Sequence, residues 1–153
     1  MFRIISYEDK YKDETIKLIL PILEDEFDFD GIDRPDLWNI PEVYQQEKSD
    51  FWLAVVNDKV VGTIALKNYG DGRGYLKRMY VDQSMRRQGL GQKLFNHLVE
   101  FAKHHSFRKI YVGTEEEFAG ALQFYQKNGF EIIKKLPDDL PDFDDHIFLR
   151  LDL

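Results

Sequence analysis

Met79-Tyr80-Val81-Asp82-Gln83-Ser84-Met85-Arg86-Arg87-Gln88-Gly89-Leu90-Gly91-Gln92 is the stretch that decides the reading of this chain. A β-rich run over 75–82 (YLKRMYVD) enters a basic, glycine-bearing turn, and the turn opens a strongly amphipathic helix over 87–105. In that helix Leu90, Leu94, Leu98 and Ala102 recur every four residues, with Phe95, Val99 and Phe101 beside them. A helix N-terminus presents amides without intrahelical acceptors and a partial positive charge. Glycines there let a ligand approach the backbone, and phosphate is the natural guest. Arg86 and Arg87 add charge, so physical chemistry alone makes this a pyrophosphate cradle. Two common phosphate motifs do not fit it. A P-loop needs G-x-x-x-x-G-K-[ST], yet Gly91 is followed by Gln92-Lys93-Leu94. A dinucleotide fingerprint needs a third small residue where Leu94 stands, and an acid about 20 residues on, where Tyr111 and Val112 stand. The competing reading is that Gly89 and Gly91 only allow the helix to pack closely on a sheet.

Working outward, 2–7 (FRIISY) reads as a strand, and 9–27 as a helix with Ile16, Ile19, Leu20, Leu23 and Phe27 at helical spacing. Pro21 inside it predicts a kink or a division. Residues 36–47 read as a second helix, capped by Asp33 or Asp36. FWLAVVN (51–57) and VVGTIALKN (60–68) form a hairpin around Asn57-Asp58-Lys59, and Gly70, Gly72 and Gly74 make a loose turn. Beyond the long helix come a strand over 108–114, a helix over 116–127, and strands over 129–136 and 146–153. The predicted order is β-α-α-β-β-β-α-β-α-β-β in one domain over 3–153, with no linker or repeat. Antiparallel meanders followed by a β-α-β crossover give an α/β (α+β) fold on one mixed sheet.

Composition narrows the function classes. The 153 residues hold 21 Lys+Arg against 28 Asp+Glu, a net charge of −7. That argues against nucleic acid as a partner, since phosphate binding rests on clustered cations. There is no Cys, which removes disulfides, thiolate metal sites and a cysteine nucleophile, and four His leave little for a metal. The N-terminus lacks a signal-type apolar region, and no run approaches the ~20 apolar residues of a membrane span. The expectation is a soluble, cytoplasmic protein with no membrane partner. Acids are segregated: 24–36 holds seven, 115–117 three and 138–145 five, leaving 13 acids against 20 bases elsewhere. Such segregation makes local fields that the net charge hides, although each run also reads as a solvated loop.

Arg86-x-x-Gly89-x-Gly91 behind a strand ending in Val81, followed by a long helix, resembles motif A of the GCN5-related N-acetyltransferase (GNAT) superfamily. IYVGTEEEFAGALQFYQKNGF (110–130) resembles that family's strand-helix unit ending Y-x-x-x-G-F, here Tyr125 to Gly129-Phe130. FWLAVVNDKVVGTIAL resembles its hairpin, with the usual glycine at Gly62. The resemblance covers about 3–153. It implies a splayed central sheet flanked by helices and acetyl-CoA as co-substrate, with no metal. It places the pantetheine arm along Met79, Tyr80 and Val81, and the pyrophosphate on Arg87, Gln88, Gly89, Leu90, Gly91 and Gln92, with Arg86 beside them. Two departures stand out. Phe118 occupies a position where the family often has a cofactor-touching Asn. The strand over 75–81 carries Lys77 and Arg78 where many members place a Glu base, so the base is open, ordered water included.

Acetyl transfer to a primary amine needs a neutral amine, a donor for the developing oxyanion, and a proton for the leaving thiolate. Tyr125 is the catalytic candidate for the last task, as an unperturbed phenol (~10) lies near a thiol (~8.5); the alternative is a core Tyr between Phe124 and Phe130. Without Cys, direct transfer in a ternary complex is expected. His146 and one of Glu115, Glu116 and Glu117 are candidate bases, each equally readable as a surface group. Trp38, Tyr44 and Trp52 read as core more readily than as an acceptor pocket, and His97, His104 and His105 as solvent-facing. The three acid runs predict a small cationic acceptor whose KM rises with ionic strength and on neutralising Asp28, Asp30 and Asp33 together. A protein N-terminus or Lys as acceptor, a non-catalytic acyl-CoA-binding module, and a homodimer remain open.

Overall fold

β1 (Arg3–Ser6), β2 (Asp50–Val56) and β3 (Lys59–Asn68) form an antiparallel meander in the computed structural model, which describes residues 2–26, 35–116 and 119–153. β4 (Arg73–Val81), β5 (Lys109–Thr114), β6 (Glu131–Ile133) and β7 (Ile147–Asp152) complete one sheet, ordered β1-β2-β3-β4-β5-β7-β6. The helices are α1 (Lys12–Glu26), α2 (Pro35–Trp38), α3 (Ile40–Tyr44), α4 (Leu90–His104) and α5 (Ala119–Lys127). The mixed α/β class is as expected. β4 and β5 are parallel and pair over Arg73–Tyr75 with Lys109–Tyr111. The chain divides into two compact units, Met1–Lys67 with Lys77–Phe101, and Asn68–Leu76 with Ala102–Leu153.

In the first unit β2 is buried on both faces, which is why its sequence is a continuous apolar run rather than an alternation. Phe51, Leu53 and Val55 join Ile19, Leu23, Leu37, Ile40 and Tyr44 from α1–α3. Trp52 faces α4, with its ring 4.9 Å from Phe101 and 5.4 Å from the exposed His97. The two-residue turn Asn57-Asp58 has φ of 49° and 64°, the left-handed pair that matches strand twist. A bulge follows between Ala54 and Val55, opposite Gly62. A Cβ on Gly62 would lie 2.9 Å from Leu94 Cδ1 and 3.3 Å from Leu90 Cδ2, so this glycine sets how closely α4 docks. Gly62→Val is expected to lower stability by ~1–3 kcal/mol through overpacking. Urea denaturation would read it as a fall in midpoint at constant slope, and an unchanged midpoint would mean α4 yields without cost.

In the second unit β5 pairs antiparallel with β7, and β7 with β6, so the last strand in sequence lies between the two before it. Tyr75, Tyr111, Leu136 and Leu140 form its buried cluster. α5 ends as the Y-x-x-x-G-F pattern requires. Gly129 has φ +97°, and the Phe130 N–H turns back to the Tyr125 carbonyl at 3.0 Å.

Several expected boundaries move. Residues 36–47 form two short helices, not one, because Pro41 has no N–H to bond the Leu37 carbonyl. Pro21 does not divide α1; Ile19 and Leu23, 0% and 2% exposed, anchor the helix on either side of it. Gly74 lies inside β4 rather than in the turn, where Gly70, Asp71 and Gly72 carry the positive φ angles. β6 covers three of the eight residues expected for it. Asp28, Asp30, Asp33, Glu117 and Phe118 lie outside the described residues.

Candidate active site

The turn between β4 and α4 is built mostly by backbone. Asp82 caps a short 3₁₀ turn over Gln83–Met85, accepting the Ser84 N–H at 2.9 Å. Arg87 (φ 64°) and Gly89 (φ 81°) are left-handed and bend the chain into α4. The Gly89 carbonyl accepts the Lys93 N–H at 3.1 Å, so Leu90, Gly91 and Gln92 form the first helical turn, whose amides have no carbonyl four residues back within the helix. A Cβ on Gly89 would meet nothing within 4 Å, which leaves open space directly over the turn.

The cofactor-binding candidates assemble here, but mostly not through side chains. Arg86 Nε donates to the Val81 carbonyl at 3.1 Å, bracing the turn against β4. Gln88 Nε2 donates to the Ser84 carbonyl, and Gln92 Nε2 to Asn96 Oδ1. The Leu90 side chain is 1% exposed and belongs to the core. Met79 and Val81 lie beneath Gly91, where a Cβ would sit 3.4 Å and 3.8 Å from their side chains. Arg87 alone among these cations is exposed. The arrangement fits a diphosphate held by backbone amides, with Arg87 supplying charge.

Sequence reasoning missed what happens one residue upstream. Arg78 has φ 53° inside β4, and its carbonyl accepts the buried Thr63 hydroxyl at 2.7 Å. Its guanidinium grips Asp36 with two bonds of 2.8 Å and donates to the Tyr80 hydroxyl at 3.1 Å. The Tyr44 hydroxyl donates to Asp36 at 2.6 Å. Burial alone would push the Asp36 carboxyl up, but Arg78 and Tyr44 outweigh it and hold it below the usual carboxylate range. Burial, then the Asp36 charge, pushes the Tyr44 phenol far above its ordinary value. Asp36 is therefore a fixed anion and cannot serve as the missing base. Because it titrates lower when folded, the stability it adds is present above its unfolded value (~3.9) and is lost as pH falls through the depressed folded value. Asp36→Ala is expected to cost ~3–5 kcal/mol at pH 7, as it strands a buried guanidinium. Urea titration at pH 7 measures this. The cost should shrink as the wild type itself is acidified, and a pH-independent cost would contradict the ion-pair account.

Tyr125, Glu115 and His146 lie in the second unit. Tyr125 on α5 is 7% exposed, with ring neighbours Phe130 at 5.4 Å and Phe124 at 5.8 Å. Glu115 and His146, weighed separately from sequence, form a pair: Nδ1 is 2.6 Å from Oε2, on a carboxylate 16% exposed and an imidazole 80% exposed. Only tertiary structure could reveal it, since 31 residues separate them. Trp52 and Tyr44 are core at 2% exposure, whereas Trp38 is 52% exposed. Among the described residues no group of three or more His, Asp or Glu could hold a metal, and no helix is long and apolar enough to cross a membrane.

Comparison with known proteins agrees with the fold. An acetyltransferase of the GNAT family from Staphylococcus aureus Mu50 superposes with a TM-score of 0.92 at 37% identity, covering 99% of each chain. The PaiA N-acetyltransferase of Thermoplasma acidophilum, solved in complex with coenzyme A, shares the fold at 15% identity and a TM-score of 0.77, covering 100% of this chain and 99% of that one. N-acetylaspartate synthetase of Xenopus tropicalis is 35% identical over 100 residues, 64% of this chain and 37% of that protein. The chain thus spans about a third of the length of the curated relatives it matches. The acetyltransferase (GNAT) family profile matches residues 16–130, three quarters of the chain, and with β4, the glycine turn and α4 inside that match, the chain belongs to the acetyltransferase (GNAT) family.

Proposed function

We propose that residues 3–153 form one acetyl-CoA-dependent N-acetyltransferase domain that passes an acetyl group directly to a primary amine of a small molecule. The observation that carries the reading is the backbone cradle: left-handed Arg87 and Gly89 aim the first turn of α4 at open space beside Met79–Val81. A coenzyme A diphosphate is a chemically suitable guest, and the fold neighbour solved with coenzyme A supports the choice. In this reading Met79, Tyr80 and Val81 carry the pantetheine arm. The amine nitrogen attacks the thioester carbonyl, the C–S bond breaks, and Tyr125 gives its proton to the leaving thiolate. Ordered water relays the amine proton away, since β4 offers no acid and Asp36 is tied to Arg78. The sequence has no Cys to carry an acyl-enzyme, which favours this direct route.

A cationic acceptor is our first reading, from the acid runs. The name of the curated relatives supports a second, an acidic amino acid taken through its α-amine. Release of free thiol from acetyl-CoA, measured across polyamines, amino sugars, aspartate and peptide N-termini, tests both. Turnover with a cationic amine and not with aspartate is the expected result. Preference for aspartate would replace the first acceptor reading by the second, and the absence of thiol release with every amine tested would leave an acyl-CoA-binding module.

A further inference from the structure

Among the described residues, Arg78 is the one non-glycine residue that is left-handed inside a strand; the others of its kind lie in turns. A bulky L-residue is strained at φ 53°, where glycine would not be. Such strain persists only where surrounding groups hold it, and it collects at functional sites. A left-handed residue in a strand is also an ingredient of a β-bulge, which re-aims the neighbouring side chains. The residues that follow here are Met79, Tyr80 and Val81, the strip that carries the pantetheine arm in the reading above.

Two groups hold Arg78, and they come from different elements of the first unit. The Thr63 hydroxyl, on β3 and fully buried, donates to the Arg78 carbonyl at 2.7 Å. Asp36, on α2 and 42 residues away in sequence, accepts two guanidinium N–H bonds at 2.8 Å. Asp36 is fixed in turn by the Tyr44 hydroxyl, and the guanidinium is steadied by the Tyr80 hydroxyl. A glycine at position 78 would keep the Thr63 bond and relieve the strain, but it could not reach Asp36. Arginine at a position that favours glycine therefore ties the backbone of β4 to α2.

We propose that Asp36 is a positioning residue: it holds Arg78 left-handed and so sets the direction in which Met79–Val81 presents its backbone to the coenzyme. Asp36 acts through Arg78 and not by contact with the ligand. This role rests on the functional reading above for the identity of that ligand.

The test is calorimetric titration of the full chain with coenzyme A, beside a thermal melt of each variant. Asp36→Asn keeps the shape of the side chain and removes its charge and one acceptor oxygen. It should weaken coenzyme A binding by ~10-fold, the weight of one left-handed L-residue released from its clamp. Adding Arg78→Gly to Asp36→Asn should recover most of the affinity, because glycine takes the left-handed backbone unaided. Adding Arg78→Ala instead should recover none. Neither double variant leaves a charge of this pair buried and unpaired, so both are expected to fold. The expected order, glycine above alanine, is the reverse of that at an ordinary strand position. A purely structural role would raise the melting temperature of the glycine variant over the alanine one and leave their affinities equal, and that result overturns the proposal. Unchanged affinity in folded Asp36→Asn overturns it as well. Should the wild type itself fail to bind coenzyme A, the functional reading falls and this role with it; should the wild type bind and the variants not separate, only this role falls.

Discussion

Replacing Gly89 by valine is expected to abolish acetyl-CoA binding in a protein that still folds. Gly89 sits at φ +81°, and the space its Cβ would enter holds no protein atom within 4 Å. Valine there carries two penalties. The left-handed conformation costs an L-residue ~1–2 kcal/mol, and a β-branched residue tolerates it least. The side chain also fills the approach to the Leu90–Gln92 amides. A domain with ~5–15 kcal/mol of stability absorbs the first penalty, whereas the second removes the cradle. Gly89→Asn separates them, because Asn accepts the left-handed backbone but still adds bulk; it should fold normally and still lose affinity. Gly91→Val should also lose binding, by another route: its Cβ would make ordinary contact with Met79 and Val81 and crowd the strip between α4 and β4. Calorimetric titration beside a thermal melt measures all three. Unchanged affinity in a folded Gly89→Val variant would move the cofactor elsewhere.

Tyr125→Phe should reduce turnover by ~10²–10⁴-fold, the usual contribution of general acid–base help, with little change in acetyl-CoA affinity. The substitution keeps the ring between Phe124 and Phe130. It also keeps the carbonyl that caps α5 through the Phe130 N–H, so stability should hardly move. Stopped-time thiol release on an accepted amine, with cofactor affinity measured separately, gives the split between turnover and binding. If turnover survives intact, Tyr125 serves only the core and the helix cap.

Features written in local periodicity were legible in the sequence. The four-residue recurrence of Leu90, Leu94, Leu98 and Ala102 fixed the buried face of α4, and all four are at most 1% exposed. Asn57-Asp58 gave the hairpin turn, and the glycine turn was found because helix starts and phosphate seats share one chemistry. Long-range geometry was not legible. Nothing local tells β7 to enter between β5 and β6, since strand order is decided by which faces bury together. The left-handed Arg78 could not be foreseen, because it rests on Asp36, Tyr44 and Thr63 from three other elements. The Glu115–His146 pair and the seating of Asp145 over Gly113 are likewise products of tertiary structure. The side chains of Gln88, Leu90 and Gln92 are engaged within the protein, in keeping with a turn that was read from the sequence as a backbone feature.

Amide hydrogen exchange with and without coenzyme A tests the central claim most directly, because the claim is that backbone N–H groups hold the ligand. Adding coenzyme A should protect the amides of Leu90, Gly91 and Gln92 together with those of the Met79–Val81 strand, and Gly89→Val should erase that protection. Saturating coenzyme A that leaves these amides exchanging at their free rate, or that protects a different segment instead, would contradict the account.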